Sequence, residues 1–118
     1  MRKKIVEFVN RLLPKNWDSW SLEQRREFWL NKNIIGECER TRVCAHEIWY
    51  ELFCHDRAPT LNEIKNINDF LKRIPYYKTR SSVYCGPIYG RQRGFVKDAI
   101  IVQISKMTKE RLNKNESN

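Results

Sequence analysis

Glycine is scarce in this chain. Gly36, Gly86, Gly90 and Gly94 are the whole supply, and none opens the GxxxxGK[ST] string that cradles nucleotide phosphates. These residues therefore encode no P-loop motor. Long apolar runs are also missing, and nothing approaches the roughly 18 residues of a membrane span. The four cysteines, Cys38, Cys44, Cys54 and Cys85, include no CxxC pair, and His46 and His55 form no HxxxH. Arg2, Lys3 and Lys4 carry the charge that begins an export signal, but Glu7, Asn10 and Arg11 interrupt the apolar stretch behind them. The expectation is a cytoplasmic protein with reduced thiols and no membrane partner.

What the chain has in excess is positive charge. Its 118 residues carry 23 Lys and Arg against 14 Asp and Glu, a formal +9, with 41% hydrophobic residues, enough for the core of one small domain. Such a balance favours a polyanionic partner.

Ile5, Phe8, Val9, Leu12 and Leu13 fall at helical spacing, so residues 1–15 read as an N-terminal segment whose basic amphipathic helix ends before Pro14. Ser21 with Gln24 makes a capping box, opening a helix to about Asn31 with Leu22, Phe28 and Trp29 as its apolar contacts. Residues 31–39 read as a loose polar connection. From Thr41 a helical stripe takes in Cys44, Ala45, Ile48, Trp49 and Leu52. Thr60 with Glu63 makes a second capping box, followed by Leu61, Ile64, Ile67, Leu71 and Ile74 at intervals of three or four up to Pro75. Residues 76–84 and 91–97 have strand composition around the turn chemistry of 85–90, a hairpin over about 76–97. Residues 99–104 fit a strand or the start of a helix, and residues 105–118 read as a flexible polar tail.

Helix, break, capped helix and basic hairpin is the order of a winged helix-turn-helix. The predicted fold is mainly α with a β-hairpin: one winged-helix-like domain over 16–104 with extra N-terminal helices. The second capped helix carries Asn62, Lys65, Asn66, Lys72 and Arg73 off its apolar stripe; asparagine suits adenine edges, and the cations suit phosphate or guanine. The hairpin adds Lys78, Arg80, Arg91, Gln92, Arg93 and Lys97 with no acidic residue from 76 to 97. Those same-sign charges point to nucleic acid, whereas Tyr84, Tyr89 and Phe95 read as the hairpin's core-facing side.

Three strings, residues 42–53, 67–75 and 89–96, resemble the C-terminal region of the virulence-associated protein E family, primase-helicase-like replication proteins of phages and phage-related islands. The similarity covers about residues 20–96, and Tyr89-Gly-Arg-Gln-Arg-Gly-Phe95 is its most specific part. It implies a DNA-associated module that follows an ATPase, acting in a bacterial host cell, either excised from a larger protein or standing alone. The family's motor activity does not transfer, because its ATPase is not in these residues. After Ile74-Pro75 this chain has Tyr76-Tyr77 where the family usually has glycine before an aromatic.

No catalytic residue, metal ligand or cofactor is expected. Glu47 and Glu51 are one helical turn apart, as metal-binding carboxylates would be, but lack a third acidic ligand or lysine at motif spacing; a solvated face or a salt bridge to the hairpin explains them. Cys44 and His46, two apart on a helix, point away from each other and cannot share an ion, so Cys44 reads as a small core residue. Trp49 reads as core, and the histidines as surface or core-edge residues. The leading expectation is a non-catalytic DNA-binding module, for double-stranded in preference to single-stranded DNA. The alternative is a protein-interaction module docking on a replication ATPase or helicase, or a stand-alone regulator or inhibitor of one. Residues 37–57 hold five acidic against three basic residues flanking and within the helical part, which favours a basic partner for that face. RNA binding is a third reading.

Overall fold

The computed structural model describes residues 2–98. Residues 99–104 and the polar tail 105–118 lie outside the described residues. Ile5, Phe8 and Val9, spaced three and one apart, give α1 (Arg2–Asn10) a buried side. The helix stops short of the expected end: Leu12 turns outward at 40% exposure, and Leu13 pairs with Cys38 in an isolated antiparallel bridge. After a 3-10 turn at Trp17–Ser19 comes α2 (Leu22–Leu30), opened by the Ser21–Gln24 capping box with both reciprocal hydrogen bonds formed. Phe28 is buried, Leu22 and Trp29 are half-buried.

The expected loose connection after α2 is pinned instead. Arg11 donates to the Phe28, Asn31 and Ile34 carbonyls at 2.8–2.9 Å, and the Glu37 and Cys38 amides both donate to Leu13 O at 2.9 Å. A Cβ at Gly36 would lie 2.2 Å from Leu12 O, so only glycine allows this approach.

The largest departure from expectation follows. The stretch from Thr41 begins as a strand, β1 (Arg42–Cys44), then turns into the short helix α3 (Ala45–Glu47) and a π-helical stretch, Ile48–Leu52, closed by Phe53 N–H to Ile48 O at 3.0 Å. Cys44 therefore belongs to a sheet and not to the helical stripe. Val43 and Cys44 are β-branched and small, and a strand of three residues carries too little pattern to be distinguished from a helix start.

α4 (Leu61–Leu71) opens on the Thr60–Glu63 capping box, again with both bonds made. Ile67, Leu71 and Ile74 are buried, whereas Leu61, expected on the apolar stripe, stands 86% exposed in the first turn. β2 (Tyr77–Tyr84) and β3 (Arg91–Lys97) form the expected hairpin, and β1 joins β3 to give a three-stranded antiparallel sheet in the order β1-β3-β2. The protein is thus α+β, not mainly α with an isolated hairpin. The register pairs Arg80 with Gly94 and Val83 with Gln92, so Ser81 and Ser82 face the single residue Arg93 as a bulge.

One cluster joins α1 (Ile5, Phe8, Val9) to β1, the π-helical stretch, α4 and the rest of the sheet through Val43, Ile48, Leu71 and Phe95. The N-terminal helix is therefore part of the domain core. No helix among the described residues is long and apolar enough to cross a membrane.

The start of α4 generates two tests. Thr60→Ala removes the cap and is expected to lower stability by about 1 kcal/mol in urea unfolding. Glu63 also pairs with Arg57 through two contacts of 2.8 Å; those bonds and the Thr60 amide hold its carboxyl down at about 2, against an ordinary 4.5. A carboxyl depressed in the folded state stabilises fully above its ordinary range and loses that contribution as pH falls through the folded value. The stability gap between the wild type and Glu63→Gln should therefore narrow from pH 5 toward pH 2; an unchanged gap contradicts this.

Candidate nucleic-acid interface

Six of the chain's arginines are committed to structure. Arg11 ties the loop after α2. Arg26 donates to Tyr50 O and His55 O and meets Asp56, holding α2 to the π-helical stretch. Arg42 makes a two-oxygen contact with Asp18 at 2.8 Å, and Arg57 pairs with Glu63. Arg25 and Arg40 are buried. The positive balance of the composition therefore overstates what is free at the surface.

Arg25 and Arg40 meet the two carboxylates expected on a solvated face or against the hairpin. Glu47 and Glu51 are instead 4% and 0% exposed. Arg40 Nη1 lies 2.6 Å from Glu47 Oε2. Glu51 accepts from Arg25 at 3.1 Å, from the Trp29 indole N–H at 3.0 Å and from the Tyr89 hydroxyl at 2.6 Å. Desolvation lowers the Arg40 guanidinium, but the attraction of Glu47 and Glu51 outweighs it and holds the group above its ordinary value. Desolvation and the neighbouring Glu51 carboxylate both push the Tyr89 phenol well up, so it remains a donor. Helix periodicity could place these acids on one side, but nothing local could say that the side faced inward.

Tyr89 belongs to the hairpin turn, so its hydroxyl fastens the hairpin to the helices. Gly86 in the same turn adopts φ 89°, and a Cβ there would come 3.1 Å from Asp18 Oδ1. The turn is thus seated against the domain. Of the aromatics assigned to the hairpin's inner side, Tyr89 and Phe95 are buried, while Tyr84 is 50% exposed.

Asn62, Lys65 and Asn66 on α4 and Lys72 and Arg73 just past its end are all exposed; Lys72 has Asp69 at 3.9 Å. On the hairpin, Arg80, Arg91 and Arg93 are exposed, and Arg91 reaches Ser82 Oγ at 3.5 Å. Three expected contacts are otherwise engaged. Lys78 pairs with Asp98 at 2.9 Å, Lys97 lies over the Tyr76 ring, and Gln92 donates its amide to Tyr89 O at 2.9 Å. Among the described residues, no carboxylate forms an ion pair with Lys65, Arg73, Arg80, Arg91 or Arg93.

The register divides the hairpin charges between its two sides. Arg91 and Arg93 alternate in phase with Phe95, whose ring lies in the core shared with Ile67 and Leu71 of α4. Lys78 and Arg80 pair with Val96 and Gly94 and so point to the opposite side. The hairpin does not present its cations as one row. Arg91 and Arg93 share the α4 side of the sheet; Lys78 and Arg80 do not.

No protein-family model matches the chain, and no curated protein sequence does.

The buried charges set the stability test for this site. Removing one partner of a buried pair leaves the other uncompensated, so Arg25→Ala is expected to cost about 3–5 kcal/mol. Tyr89→Phe removes one donor to the same carboxylate and should cost about 1.5–3 kcal/mol. Urea unfolding measures both, and a loss under about 1 kcal/mol for Arg25→Ala contradicts this assignment.

Proposed function

We propose that this chain is a non-catalytic nucleic-acid-binding module of the winged helix-turn-helix type, and that its ligand is duplex DNA in preference to single strands. The observation that carries the reading is a set of exposed cations with no carboxylate ion-pair partner among the described residues: Lys65 on α4 and Arg73 just past its end, with Arg91 and Arg93 on the side of the sheet that faces α4. The topology supports it. Two helical segments, residues 45–52 and 61–71, lie between β1 and β2, and the last strand is central, as in a winged helix. In this reading α4 enters the major groove, Asn62 in its first turn and Asn66 at its middle meet base edges, and Lys65, Lys72 and Arg73 meet phosphate. Arg91 and Arg93 grip the backbone beside the groove, with the bidentate reach of guanidinium. Lys78, Gln92 and Lys97 contribute less, because each already has an intramolecular partner. The resemblance to the C-terminal region of virulence-associated protein E fits the same role, a DNA-holding module of a mobile-element replication protein in the bacterial cytoplasm.

A second reading has its own observation. Leu12, Leu30, Ile34 and Ile35 are exposed around the Arg11-tethered loop, with Leu30 and Ile35 at 80% and 85%, which suits docking on a protein such as a replication ATPase. The acidic excess of residues 37–57 no longer supports that reading, because Glu47 and Glu51 are buried in ion pairs.

Titration of labelled double- and single-stranded DNA across about 50–200 mM salt separates the two. Duplex binding should weaken steeply with salt, and Arg91→Ala/Arg93→Ala should reduce the log–log slope by about 2, roughly 0.9 for each phosphate no longer neutralised. Salt-independent binding, or a slope unchanged in the double variant, contradicts the proposal. A protein partner retained at high salt with no DNA affinity favours the second reading.

A further inference from the structure

The β1-β3-β2 register does something that cysteine spacing could not announce. Cys44 ends β1, Glu47 closes the short helix that follows it, and Cys85 lies just past the end of β2. Their donor atoms, two sulfurs and a carboxylate oxygen, lie within 4.8 Å of one another, and all three residues are buried. Both thiols are free, whereas Cys38 and Cys54 are exposed and stand apart from this group.

We propose that Cys44, Cys85 and Glu47 form a binding site for a thiophilic divalent cation of the zinc class. Two thiolates and one carboxylate are a donor set that soft or borderline ions accept, with the fourth position left to a small ligand. Around a tetrahedral ion two thiolates stand ~3.8 Å apart and a carboxylate oxygen stands ~3.5 Å from each sulfur, so the three atoms, now within 4.8 Å, need to close by about 1.3 Å at most. Glu47 Oε2 is held by Arg40, which fixes the carboxylate beside the two sulfurs.

The fourth position has a route to solvent. Cys85 and Glu47 line a cavity of about 390 Å³, whose wall also includes Trp17, Arg25, Arg40 and Arg42. Four buried N–H groups on that wall have no partner among the described residues: Trp17 Nε1, Arg25 Nε, Arg40 Nε and Arg40 Nη2. They suit a water or small anion completing the coordination. The nearby arginines do not oppose the cation, because the charge balances: one M²⁺ enters, the Cys44 and Cys85 thiols each lose a proton, and the net charge of the site is unchanged. The site would join β1 to the hairpin turn.

The test uses the full chain, stripped of metal with a chelator and kept reduced with a phosphine, and Co²⁺ as probe. One equivalent should bind, giving a thiolate-to-cobalt charge-transfer band that one equivalent of Zn²⁺ abolishes, with two protons released per ion. Cys85→Ser, a near-isosteric change with its fold checked by circular dichroism, should lose the band, as should Cys44→Ser. Cys38→Ser/Cys54→Ser should keep it. Absence of a charge-transfer band in the wild type, or its survival in Cys85→Ser, overturns the proposal. Disulfide formation between Cys44 and Cys85 on air exposure without metal uptake under reduction does so as well.

Discussion

A carboxylate with no exposed surface organises this molecule. Glu51 accepts from Arg25 on α2, from Trp29 on the same helix and from Tyr89 in the hairpin turn, so two pieces of chain distant in sequence converge on one residue of the π-helical stretch. A buried anion is tolerated only where its lone pairs are taken up by donors, and here each oxygen has one or more. Arg40 and Glu47 repeat the device alongside, between the chain entering β1 and the short helix leaving it. Such pairs add little net stability against an apolar substitute, because desolvation offsets the Coulomb gain. Their effect is on geometry. An alternative docking of α2 or of the hairpin turn would leave a charge stranded, and that penalty selects the observed arrangement.

The same constraint explains how the chain divides its arginines. Those that close the structure carry out fixed contacts with carbonyls and carboxylates, while Lys65, Arg73, Arg80, Arg91 and Arg93 stay free of them among the described residues. Seating the turn through Tyr89 and Gly86 also sets the pleat of β3, which decides that Arg91 and Arg93 share the side of α4. The proposed DNA surface is in this sense a consequence of the buried charges: the interior pairs orient the strand whose outer residues would meet phosphate.

Much of the local structure was legible in the residues. Both capping boxes, Ser21 with Gln24 and Thr60 with Glu63, mark helix starts because the chemistry is complete within four residues. The hairpin is equally local, with strand composition on each side of a glycine-containing turn. What escaped was non-local. β1 is three residues long and becomes a strand only because β3 offers it partners. The π-helical turns at Ile48–Leu52 break the spacing on which a helical stripe is read. Leu61 looked apolar-side by its interval from Ile64 but lies in the first turn of α4, with no element among the described residues packed over it. The burial of Glu47 and Glu51 depended on arginines 7 and 26 residues away. Within the candidate site, the sequence pattern picked out cations that are exposed, Lys97 excepted, but only the strand register could divide Arg91 and Arg93 from Lys78 and Arg80.

The most direct measurement is a backbone-amide NMR titration of the chain with a short mixed-sequence duplex. Shifts should concentrate on α4 around Lys65 and Asn66, just past it at Arg73, and on β3 around Arg91 and Arg93, with Leu30, Ile34 and Ile35 unmoved. Perturbation centred on that apolar loop, or on the Lys78 and Arg80 side with α4 silent, would contradict the proposed surface.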